Sequence, residues 1–97
     1  MKQHEFEQSW ERTRAHLAAA VAHLPENPAP NPEGGRLEEY RDYLEHNELE
    51  LALDELEALG EANPVSAAYW QALARAAAEM QLREHERRYV NFSSASF

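Results

Sequence analysis

There is no cysteine in this chain of 97 residues. That excludes a disulfide framework, a thiolate metal site and a cysteine nucleophile, and it fits a reducing compartment. Glycine is nearly as scarce, at three, and two of the three are Gly34 and Gly35. No glycine-rich loop cradles a phosphate. β-Branched residues are few, and no segment carries a strand pattern of any length. No apolar run approaches the roughly 20 residues that span a membrane. The opening MKQHEFEQSW has no apolar signal core, so a cytoplasmic protein is expected. What is abundant is Ala, Leu, Glu and Arg, the residues that lose least side-chain freedom in a helix. A chain of this length makes one domain with one small core.

Bases are also scarce, and unevenly so. From Glu33 to Glu61 there are eleven acids against two bases, Arg36 and Arg41, which accounts for the whole net charge of −9. Elsewhere seven acids and seven bases cancel. An acidic surface disfavours direct binding to nucleic acid and suits either a basic protein partner or simple solvation.

Four helical segments follow from apolar spacing, giving an all-α, single-domain bundle of about four helices over residues 1–97. The first covers 3–24, with Phe6, Trp10, Thr13, Leu17 and Leu24 on one stripe. Residues 25–35 hold four prolines and two glycines, and read as a connector. A proline-rich recognition ligand is the alternative there. The second helix covers 36–46, with Leu37, Tyr40 and Leu44 inward. Asn47 and Glu50 have the spacing of a capping box, which places a break at Asn47 and opens a third helix over 48–59. Gly60 reads as its stop. Asn63 and Ser66 compete to cap a fourth helix over 65–90, on which Tyr69, Trp70, Leu73 and Ala77 face inward. Its pattern blurs past Met80. The tail, 91–97, is serine-rich and expected to fray. The core expected from these stripes is Phe6, Trp10, Leu17, Leu44, Leu53, Leu56, Trp70 and Leu73.

Catalytic patterns are missing. There is no HExxH, no Glu-x-x-His pair of the di-iron kind and no GxSxG. His16 and His23 are seven residues apart, too far to share an ion unaided. Asp42, His46 and Glu50 have fourfold spacing, but the break at Asn47 interrupts the row. No metal, cofactor or catalytic residue is expected, and the chain reads as a non-enzyme. Tyr43 stands amid Glu39, Asp42 and Glu45, as an aromatic ringed by charge does at a binding hot spot, or as a half-buried packing residue does. The like-charge pairs Glu38–Asp42, Glu50–Asp54 and Glu57–Glu61 each cost roughly 0.2–0.5 kcal/mol. That is tolerable, yet spreading the acids would serve solubility equally well.

The stretch EYRDYLEHNELELALDELEALGE (39–61) followed by YWQALARAAAEMQL (69–82) resembles the small helical MafI-like immunity proteins of bacterial polymorphic toxin systems. The residues that carry the resemblance are Tyr43, Leu44, Glu45, His46, Asn47 and Glu48, then Ala52, Leu53, Leu56, Trp70 and Leu73. The resemblance implies a protein that binds a cognate toxin domain and blocks it. Residues 47–82 are also similar to a tetratricopeptide hairpin, through Ala52, Pro64, Trp70 and Leu73, although Ala74 stands where glycine is usual. An array of such hairpins needs about three repeats, more than this chain holds. The expected partner is therefore a protein, a toxin domain with a basic surface, and neither nucleic acid nor a membrane. The expected contacts are Glu38, Glu39, Asp42, Tyr43, Glu45, Glu48, Asp54 and Glu55. The alternative is an interaction or oligomerisation module that works through apolar grooves.

Overall fold

The computed structural model describes residues 2–94, with side chains from Gln8 onward. Phe6 and the end of the tail, 95–97, lie outside the described side chains. The described residues form five helices and no strand: α1 (Lys2–Val21), α2 (Leu37–Glu45), α3 (Leu49–Ala62), α4 (Ala67–Glu79) and α5 (Arg83–Ser94). Among the described residues no helix is long and apolar enough to cross a membrane.

α4 is the hub, packing most extensively on α1 and α5 and also touching α3. Its sequence explains why. Ala72, Ala74, Ala76 and Ala77 are all buried, and residues this small let neighbouring helices come close on more than one side. Tyr69, Trp70 and Leu73 fill the larger gaps. α3 supplies Leu49, Ala52, Leu53, Leu56 and Leu59 to the same core, and α1 supplies Leu17 and Ala20. Thr13 is buried too, its hydroxyl donating to the Ser9 carbonyl one turn back at 2.9 Å. That bond removes the cost of an unpaired hydroxyl in an apolar site.

The fourth helix of the sequence reading is two helices. α4 ends in a Schellman turn, with Leu82 N–H donating to Ala77 O at 2.9 Å and Gln81 N–H to Ala78 O at 3.1 Å. Gln81 takes the left-handed conformation, φ +59°, that this turn demands. Glutamine carries no sequence signal for that role, so the sequence shows the break only as a pattern that blurs past Met80. The serine-rich stretch 91–94 is helical rather than frayed, and Phe92 packs on Trp70 at 4.7 Å between ring centroids.

A second Schellman turn separates α2 from α3. Glu48 N–H donates to Tyr43 O at 2.8 Å and Asn47 N–H to Leu44 O at 3.1 Å, with Asn47 at φ +57°. Asn47 therefore terminates α2 instead of capping α3, whose N-cap is Glu48. Arg14 on α1 holds the turn: its guanidinium donates to Leu44 O at 2.5 Å and to Asn47 Oδ1 at 3.1 Å.

Two more expectations change. Trp10 is not core but 45% exposed, because α4 ends beside it, where Ser9 and Arg12 both meet Glu79. Gly60 does not stop α3, which runs on to Ala62. A Cβ at Gly60 would lie 2.6 Å from the Tyr69 ring and 2.7 Å from Trp70, so glycine is there to let α4 approach. Asn63 caps the end of α3 and also fastens the proline-rich connector, exchanging two 2.8 Å hydrogen bonds with the Ala29 backbone. Asn31 repeats the fastening by donating to Ala58 O at 3.0 Å. The helix that begins at Ala67 has Ser66 as its N-cap.

Candidate functional site

The eight acidic-face residues expected from the sequence divide into two groups. Glu38, Glu39, Asp42, Glu45 and Glu48 are exposed, on α2 and the turn after it. Tyr43 is half-buried among them, packed against the core edge. Spacings of four and three put Glu38, Asp42 and Glu45 along one side of α2, opposite buried Tyr40. Burial pushes the Tyr40 hydroxyl's pKa up.

The second group is engaged within the chain. Asp54 Oδ1 meets His85 Nε2 of α5 at 3.1 Å. Glu55 is half-buried and accepts the Arg36 backbone N–H at 3.1 Å. Both are thus held by the fold itself, unlike the α2 acids.

Helix dipoles explain part of the acidic excess. Glu38 and Glu39 stand in the first turn of α2 and Glu50 in the first turn of α3, where negative charge is favoured. Glu45 is the opposite case. It sits at the carboxyl end of α2, where no base is in the last turn. Arg14, which reaches this turn from α1, is occupied by the Leu44 carbonyl and Asn47. His46 follows, exposed, with Nδ1 against the Asp42 carbonyl at 2.8 Å. That backbone bond, helped by Glu45, Glu48 and Asp42, raises its pKa above the usual histidine value. Among the described residues Arg12 pairs with Glu79 and Arg88 with Glu57, the His85–Asp54 contact is an ion pair only when the imidazole is protonated, and none of the three lies on α2.

The two bases of this stretch, Arg36 and Arg41, line one cleft of about 380 Å³ between the connector and α2, with Glu26, Pro28, Leu37 and Glu38.

Glu57, which the sequence shows only as half of a like-charge pair with Glu61, is held by three hydrogen bonds from α5. Glu57 accepts two bonds from Arg88, at 3.1 and 2.8 Å, and one from the buried Tyr89 hydroxyl at 2.6 Å. Burial alone would raise its carboxyl pKa, but the bonds from Arg88 and Tyr89 outweigh it and set it below the usual value. Burial and the Glu57 carboxylate push the Tyr89 hydroxyl far up. Arg88 and Tyr89 lie 31 and 32 residues from Glu57, beyond any helical spacing rule. Also unforeseen, Glu50 and Asp54 on α3 and His85 on α5 bring one donor atom each to within 4.8 Å of the others.

Compared with known proteins, the chain matches no family model, no curated protein and no solved structure.

Proposed function

We propose that this chain is an immunity-type inhibitor, which binds and blocks a basic bacterial toxin domain through the acidic face of α2 and the turn after it. The observation that carries the reading is Glu45: exposed, at the negative end of its helix, and in no ion pair among the described residues. Among the described residues its carboxylate has only a weak electrostatic tie to the adjacent, exposed His46, which leaves its charge available to a partner. Asp42 and Glu48 extend the same unpaired charge, and half-buried Tyr43 offers a ring at its border. Cations on the partner would supply what α2 lacks. Long-range attraction would speed encounter, and occlusion of the toxin's site would inhibit it with no covalent step. The sequence resemblance to MafI-like proteins points the same way.

A second reading, an apolar interaction module, has its own support. Trp10, 45% exposed, lines a cleft with Met80, and Val90, 47% exposed, lines another with Ala74 and Ala78. Salt distinguishes the two. The partner captured from the source cell should be inhibited by the purified chain and should associate about tenfold or more slowly as salt rises through the physiological range. Association indifferent to salt would favour the apolar module.

A further inference from the structure

Glu50 and Asp54 stand one turn apart on α3, and His85 of α5 reaches the same point. We infer that these three side chains form a binding site for a divalent transition ion of the zinc type, separate from the α2 face and independent of the partner proposed above.

The donor set selects the ion class. One imidazole with two carboxylates suits Zn²⁺, Co²⁺ or Ni²⁺, whereas Mg²⁺ and Ca²⁺ favour oxygen donors throughout. The geometry is close to what such an ion needs. Bonds of about 2.0–2.2 Å hold tetrahedral donors about 3.3 Å apart. His85 Nε2 and Asp54 Oδ1 are already 3.1 Å apart, and all three donor atoms fall within 4.8 Å. Glu50 and Asp54 are exposed and can rotate to close the remaining gap.

Electrostatics favour occupancy as well. Two carboxylates at i and i+4 repel, and an ion of charge +2 between them cancels that repulsion and neutralises both. The nearby cation Arg88 does not compete for these acids, since Glu57 already holds it. His85 is also a half-fixed ligand rather than a loose one. Its ring sits edge-on to Tyr89, with centroids 6.2 Å apart and an interplanar angle of 71°. Tyr89 is fully buried and anchored to Glu57. The imidazole must be neutral to bind, releasing its contact with Asp54 so that both face the ion. Three protein donors leave a position for water or for a ligand from another molecule.

The test uses the untagged chain. Zn²⁺ titrated by calorimetry, and Co²⁺ by visible absorption, should each saturate at one ion per chain and raise the melting temperature. His85→Ala and Asp54→Asn should each weaken binding by at least about tenfold. His46→Ala should leave it unchanged, and Mg²⁺ should not compete. Imidazole NMR signals of the unsubstituted chain give a readout that survives any unfolding of the variants: His85 should shift with Zn²⁺ while His16, His23 and His46 do not. No saturable binding at millimolar Zn²⁺, binding retained in His85→Ala, or shifts at the other histidines in place of His85 would each overturn the assignment.

Discussion

Arg88 on α5 clasps Glu57 on α3 with two hydrogen bonds, and that carboxylate in turn receives the hydroxyl of Tyr89. The clasp ties the last helix to the third from a position where α5 otherwise leans on α4. Its two sides are unequal, and the inequality is measurable.

Glu57→Ala leaves the hydroxyl of fully buried Tyr89 without its partner and should cost roughly 1–3 kcal/mol in denaturant unfolding. Arg88 is 43% exposed, so water screens its charge and Arg88→Ala should cost less, about 1 kcal/mol or under. The Glu57 pKa is lowered in the folded chain. Its contribution is therefore fully present above the ordinary glutamate value of 4.5 and is lost as pH falls through the folded value. The stability gap between the unsubstituted chain and Glu57→Gln should shrink on acidification across that window. A gap that grows there contradicts the assignment.

Gly60→Ala tests the approach of α4 to α3. Alanine gains about 1 kcal/mol of helix propensity. The added Cβ, however, would sit 2.6 Å from Tyr69, whose hydroxyl is tied to the Leu56 carbonyl. Overpacking of this kind costs about 1–3 kcal/mol, so net destabilisation of up to roughly 2 kcal/mol is expected. A higher denaturation midpoint would show that the contact is loose.

Gln81→Gly should do the reverse. A left-handed non-glycine residue costs about 1–2 kcal/mol. Glycine removes that and adds about 0.5–1 kcal/mol of unfolded-state entropy. A net gain of roughly 0.5–1 kcal/mol is expected, read as a higher melting temperature. Asn47→Gly should bring no such gain although its φ is nearly the same, because Arg14 bonds the asparagine side chain.

Periodicity alone made α1 and α3 legible, since Leu17 and Ala20, and Leu49, Leu53 and Leu56, are stripes that must be covered by something. It failed where a residue's role depends on a distant neighbour. Trp10 fits the stripe, yet α4 stops before covering it. Asn47 suits an N-cap and a left-handed C-terminal position alike, and only the hydrogen bonds of Glu48 and Asn47 decide between them. Gly60 looks like a stop until Tyr69 and Trp70 are placed against it. The acidic face was legible as charge, but a charge run says nothing of which acids the fold already uses. Asp54 and Glu55 are used, by His85 and Arg36. Asp42, Glu45 and Glu48 form no ion pair among the described residues.

Those three acids concentrate the central claim. The most direct measurement is the association rate constant of the chain with its captured partner, at low and at physiological salt, beside that of the double variant Glu45→Lys, Glu48→Lys. The expected result is a rate about tenfold or more lower at the higher salt, and lower again in the variant, with the variant's fold intact by circular dichroism. Equal rates for both chains at both salt concentrations would contradict it, leaving the carboxylates of α2 as solvated surface and nothing more.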